Sequence, residues 1–184
     1  MTKPDPRDEI IEHLPAMRAF ALSLTRNGSL ADDIVQDTVV KAWSGFDGYK
    51  PGTNLRAWLF TILRNSFYSH HRKLGREIED VDGEHAAQLA VSPTHDGKLM
   101  LDEVLAAFDR LTVEQKEVLL LVGASGFSYE EAAEMCGVSL GTIKSRINRG
   151  RNALSEMLGY GSDDSFDVTD AKTMAVITNR GDAA

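Results

Sequence analysis

The sequence is poor in the features that mark a secreted or membrane-spanning chain. It has one cysteine, Cys136, in 184 residues. No intramolecular disulfide can form, and a reducing setting is expected. No stretch approaches the ~18 uninterrupted apolar residues of a membrane span. The opening MTKPDPRDEIIEH lacks the apolar segment of a signal peptide. A cytoplasmic location without membrane contact is therefore the expectation. Nothing pairs a nucleophile with a base, and there is no glycine-rich phosphate loop. His70 and His71 are adjacent, so they diverge around a helix instead of converging on a metal. We expect no cofactor, no metal, no small-molecule substrate and no enzyme.

Positive charge is also scarce. Lys and Arg number 20 against 28 Asp and Glu, a net charge of -8, which taken alone argues against nucleic acid. The distribution reverses that impression. Residues 1–76 hold 11 basic and 8 acidic side chains, whereas 77–97 hold 6 acids and no Lys or Arg. Two runs contain no acid: Leu55–Arg76, and Ser139–Ser155 with Lys144, Arg146, Arg149 and Arg151. Screening confines charge effects to about 8–10 Å at physiological salt, so local potential decides where a polyanion docks.

The apolar periodicity is helical throughout and no segment alternates like a strand. The spacing predicts a helix from about Asp8 to Thr25, a second from an N-cap at Ser29 through Trp43, and a third from Leu55 to about Lys73. Gly45–Thr53, with three glycines and Pro51, is expected to be irregular. Helical spacing resumes at Leu99. Thr112 with Gln115 and Ser128 with Glu131 read as capping boxes; the first opens a helix through Val122, the second a short helix ending at Cys136-Gly137. Ser139 opens the last helix, to about Leu158. The expected fold is all-α, two small helical domains at 8–76 and 98–158, joined by an acidic flexible linker at 77–97 and followed by a polar, disordered tail at 159–184.

Three segments carry chemistry. In Phe127–Leu154 a capped helix, a tight turn at Gly137 and a second amphipathic helix follow within about 25 residues, the layout of a helix-turn-helix. Ile143, Ile147 and Leu154 share one face of the second helix. Lys144, Ser145, Asn148, Arg149 and Asn152 share the other, where donors can reach base edges, with Arg146 and Arg151 flanking them for phosphates. In Asn54–Lys73 the stripe Leu55, Trp58, Leu59, Ile62 and Leu63 turns inward. Arg64, Asn65, Tyr68, His71 and Arg72 lie on the other side with Arg56 nearby. Cations interleaved with an aromatic ring suit a single strand, since bases stack on rings while cations follow phosphates. Tyr49, Lys50 and Asn54 in the preceding loop could receive an unstacked base. In Ala31–Trp43 the apolar side, Ile34, Val35, Val39 and Trp43, is expected inward. Asp33, Gln36, Asp37 and Val40 form an outward acidic-polar patch fit for a partner's basic helix.

With these segments placed, residues 8–158 resemble a small two-domain bacterial sigma factor of the extracytoplasmic-function (ECF) type. The resemblance rests on ADDIVQDTVVKAW, NLRAWLFTILRNSFYSHHRK and FSYEEAAEMCGVSLGTIKSRINRGR, in that order. The last of these is especially similar to EcfG-type general-stress sigma factors and to the sigma-like half of their response regulator, PhyR. The resemblance implies that Asp33, Gln36, Asp37 and Val40 grip the β′ coiled coil of core RNA polymerase. It implies that Gly45–Lys73 opens the minus-ten element and holds a flipped base. It implies that Lys144, Ser145, Asn148 and Arg149 read the minus-thirty-five element. A monomer held inactive by a NepR-type anti-sigma factor is also implied. The alternative is a sigma-like decoy that binds the anti-sigma factor without touching DNA.

Overall fold

A computed structural model describes residues 7–79 and 96–159. Most of the expected linker and nearly all of the expected tail lie outside the described residues. Those described are all helix and turn, with no strand among them. The order is α1 (Ile10–Thr25), α2 (Gly28–Ser44), α3 (Leu55–Glu79), α4 (Asp96–Asp109), α5 (Val113–Leu119), α6 (Tyr129–Cys136) and α7 (Leu140–Met157).

α1, α2 and α3 pack on one another around Met17, Phe20, Ile34, Leu59 and Leu63, all fully buried. Phe20 and Phe60 meet edge to face at 5.3 Å. α2 begins two residues earlier than the sequence suggests, because the cap is Asn27 and not Ser29. Asn27 has extended backbone, and its side chain accepts the Leu30 N–H at 3.0 Å. Trp43 departs from its expected inward place: it is half exposed, and the Arg7 guanidinium lies 5.7 Å from its ring centroid. It stands at the last turn of α2, where an apolar ring finds less of the bundle to cover it and a cation stacks on it instead. Gly45–Thr53 is not wholly irregular. Phe46–Gly48 makes one 3-10 turn, and Phe46, Tyr49 and Trp58 form an aromatic cluster with centroids 5.4–5.8 Å apart.

The second half is built on α5 and α7. Both capping boxes form with both reciprocal hydrogen bonds present. Beyond Leu119 the helix does not run on regularly to Val122. It widens into a π turn over Leu120–Ala124, closed by the Ser125 N–H donating to the Leu120 carbonyl at 2.8 Å. Leu120 and Leu121 stay buried through this turn, continuing the buried run Glu117–Leu119 of α5. α7 crosses α5 closely at Gly150, where a Cβ would stand 3.0 Å from Leu119 Cδ1.

The two halves also touch. α3 lies against α6, and Phe60 of the first half meets Phe127 of the second edge to face at 5.0 Å. Such a pair adds about 0.5–1.5 kcal/mol beyond the apolar area it buries. Arg26, the α1 C-cap in left-handed backbone (φ 54°), donates from Nε to Asp109 Oδ1 at 2.7 Å.

Candidate nucleic-acid interface

The turn between α6 and α7 forms because Gly137 adopts φ 65°, a left-handed conformation that costs glycine little and β-carbon-bearing residues more. Its N–H and that of Val138 satisfy the last carbonyls of α6. Ser139 then caps α7 by accepting the Thr142 N–H. Ala132, Ala133, Met135 and Cys136 bury one side of α6, and Ile143, Ile147 and Leu154 bury one side of α7. With that side fixed, Lys144, Asn148, Arg149 and Asn152 are exposed together on the outer face of α7, and Ser145 is half-buried at its edge. Arg146 and Arg151, expected to flank this face, are half-buried and turned toward the body. The Arg146 charge acts on Glu117 and Cys136.

α3 presents a different picture. Asn65, His71 and Arg72 are exposed, as is Lys50 in the loop before it. Tyr49 is half-buried in the aromatic cluster and donates its hydroxyl to the Thr53 carbonyl at 2.6 Å. The other expected strand-binding residues are engaged by the second half. Arg64 Nε lies 2.6 Å from Glu117 Oε1, and the Tyr68 hydroxyl donates to Glu117 Oε2 at 3.0 Å. The Arg64 guanidinium also covers the Tyr68 ring at 4.7 Å. Asn54 Nδ2 donates to Glu131 Oε1 at 2.8 Å while its Oδ1 accepts the Ala57 N–H, capping α3. Arg56 stacks 4.7 Å from the Phe127 centroid and 5.4 Å from that of Phe60.

Glu117 is the centre of this contact, with a side chain only 1% exposed. Burial raises its carboxyl above the ordinary range, opposed by the Arg64 charge and the Tyr68 hydrogen bond. Burial and the Glu117 charge push the Tyr68 phenol up and the Cys136 thiol up to about 11. Glu117, Phe60 and Phe127 were not singled out from sequence as functional, and Glu131 was read only as a cap. The one signal for Glu117 is a lone carboxylate ahead of the apolar run Val118–Val122.

On α2, Asp33, Gln36 and Val40 are exposed together, with Val40 at 61%. Asp37 is half-buried, because His70 of α3 places Nε2 2.7 Å from Asp37 Oδ2. That pairing joins residues far apart in sequence. Among the described residues, no cluster of His, Cys, Asp or Glu is arranged to hold a metal ion, and no helix is long and apolar enough to cross a membrane.

Residues 10–77 match the sigma-70 region 2 family and residues 101–154 match sigma-70 region 4. The ECF RNA polymerase sigma factor EcfG of Rhodopseudomonas palustris is 49% identical over 95% of this chain and 96% of its own length. The chain belongs to the ECF RNA polymerase sigma factors. A second ECF member, SigE of Mycolicibacterium smegmatis, is 33% identical over 86% of this chain and 63% of its own. Among solved structures, the sigma factor RpoE in complex with the anti-sigma factor NepR, from Bartonella quintana, superposes with a TM-score of 0.73 at 51% identity. That match covers 83% of this chain and 95% of RpoE. CnrH in complex with the cytosolic domain of CnrY gives 0.60 at 29% identity, covering 83% and 86%. In this ECF factor the region 2 match thus takes in α1, α2 and most of α3, and the region 4 match takes in α5, α6 and most of α4 and α7.

Proposed function

We propose that this sigma factor brings core RNA polymerase to stress-type promoters through two separated DNA contacts. α7 enters the major groove at the minus-thirty-five element, with Lys144, Asn148 and Arg149 at base edges or adjacent phosphates and Ser145 beside them. Arg64, Asn65, Tyr68, His71 and Arg72 of α3, with Arg56 and the loop residues Tyr49, Lys50 and Asn54, hold the displaced strand of the minus-ten element. Asp33, Gln36, Asp37 and Val40 dock on the β′ coiled coil, and an anti-sigma factor of the NepR type holds the protein inactive. The protein makes and breaks no bonds; capture of unstacked bases offsets the cost of opening the duplex.

The observation that carries this reading is the joint exposure of Lys144, Asn148 and Arg149 on α7, straight after the Gly137 turn. A decoy that binds only the anti-sigma factor has no use for a row of solvent-facing base-reading donors. Net acidity, at -8, suits weak binding by the free protein and tight binding once polymerase presents both contacts at once. The test is run-off transcription with purified core polymerase on a stress-type promoter. Intact protein is expected to give transcript, and Lys144→Ala/Arg149→Ala to cut it at least about tenfold, since each base contact is worth about 1–3 kcal/mol. No transcript from the intact protein would establish the decoy instead, and a transcript indifferent to the double change would reject the assignment of α7.

A further inference from the structure

His70 of α3 stands outside the strand-holding set, and what it touches is the docking patch on α2. Its Nε2 lies 2.7 Å from Asp37 Oδ2. An ionised carboxylate only accepts, so Nε2 carries the proton and donates. One turn along each helix, Lys41 Nζ donates to Ser66 Oγ at 2.9 Å. Residues 37 and 41 of α2 thus face residues 70 and 66 of α3, an antiparallel polar seam. Ser66 is fully buried and His70 half-buried, so the seam runs from the core of region 2 out to the edge of the patch.

Asp37 and Lys41 lie four residues apart on one helix, acid first, the order in which such a pair attracts best. α3 engages each of them instead. Asp33 and Gln36 are exposed beside Asp37, whose side chain is 49% exposed. A carboxylate has two oxygens and about four acceptor sites, of which His70 takes one. With Lys41 drawn to Ser66, its charge is held at the seam. Swung onto Asp37, the same ammonium would cancel the carboxylate at the surface where a basic partner helix has to dock.

We propose that His70 is a positioning residue for polymerase docking. It ties Asp37 to α3, keeps it off Lys41 and so preserves the acidity of the patch. The inference rests on the assignment of α2 as the docking helix, and it adds a residue from outside that helix.

The test is a titration of the full-length protein, labelled with fluorescein at its N-terminus, with purified core RNA polymerase, read as anisotropy. Denaturant unfolding of each variant reports its folding. Asp37→Ala measures the carboxylate itself and is expected to weaken core binding about tenfold. His70→Ala releases Asp37 to Lys41 and is expected to weaken it about fivefold, the upper end for an exposed charge pair. Two companions separate positioning from packing. His70→Gln carries an amide N–H to about where Nε2 stands and is expected to bind within about twofold of the parent. His70→Ala/Lys41→Gln removes the lysine that would capture Asp37, and is expected to bind within about twofold of Lys41→Gln alone. His70→Ala binding as the parent does, while Asp37→Ala binds weakly, would overturn the proposal and leave the docking assignment standing. A double variant as weak as His70→Ala would overturn it as well, since the loss would then come from packing or direct contact and not from Lys41. Asp37→Ala binding as the parent does would remove the docking assignment itself.

Discussion

α3 and α7 are both amphipathic, both free of acid over most of their length, and both cationic on the polar side. Their situations are opposite. α7 faces solvent with Lys144, Asn148 and Arg149, while its buried side, Ile143, Ile147 and Leu154, anchors it to α5 and α6. α3 buries its apolar side in region 2 and spends Arg64, Tyr68 and Arg56 on region 4. Similar composition thus yields one surface open to a duplex and one covered by the rest of the chain. Charge along a sequence identifies a surface that can bind a polyanion; only the packing of other elements tells whether it is free to do so.

The largest effect should separate the two sides of α7 itself. Ile147 is 1% exposed, and Ile147→Ala is expected to cost about 2–4 kcal/mol of unfolding free energy, through lost burial and the cavity left behind. Lys144→Ala/Arg149→Ala should stay within about 0.5 kcal/mol of the parent in denaturant unfolding while losing promoter function. If the double variant were destabilised as much as Ile147→Ala, the outer face would be structural and the contrast with α3 would fail.

The next test sets an arginine of one helix against an arginine of the other. Arg64→Ala leaves Glu117 a buried carboxylate without its cation, a situation far costlier than losing an exposed charge. It should loosen the α3–α5 contact and raise the radius of gyration in small-angle X-ray scattering, whereas Arg149→Ala should leave the scattering curve unchanged. Equal curves for the two variants would erase the distinction between a committed and a free surface.

Much of this was legible because it is local. The capping boxes at Thr112 and Ser128, the left-handed turn at Gly137 and the face of α7 follow from residues within one or two turns of each other. Asp33, Gln36 and Val40 were likewise assigned to an outer patch by helical spacing alone. One local assignment failed, and the rest of what escaped was long-range. The α2 cap went to Asn27 because its amide reached the Leu30 N–H before Ser29 could serve. Trp43 was placed inward by periodicity, but periodicity does not say where a bundle's cover ends. Glu117 lies 53 residues after Arg64 in the chain, and Tyr68 pairs with it across a sequence separation of 49. No pattern read along one helix reveals such a contact. Gly150 was missed for the same reason: its close neighbour is Leu119 on α5. There, Gly150→Val should cost about 1–3 kcal/mol by overpacking. Gly150→Ala should stay near zero in thermal melts, as the gain in helix propensity offsets a small shift of the leucine end.

The smallest effect, and the one that probes the interface without mutation, is pH. From α3, Arg64 and Tyr68 face Glu117; Cys136 approaches from α6 and Arg146 from α7, while Glu114 of α5 adds its charge at Tyr68. Desolvation raises the Glu117 carboxyl and the Tyr68 phenol where α3 and α5 meet. An acid whose value is raised by this contact holds its proton more tightly there than with the halves apart. Its contribution to the contact is complete below the ordinary value and is lost as pH rises through the raised one. The radius of gyration should therefore shrink as pH falls from neutral toward the ordinary carboxylate range, about 4.3. Glu117→Gln has no carboxyl to titrate and should abolish this acid limb. An acid limb that persists in that variant would assign the compaction to other carboxylates and leave Glu117 out of the interface's response to protons.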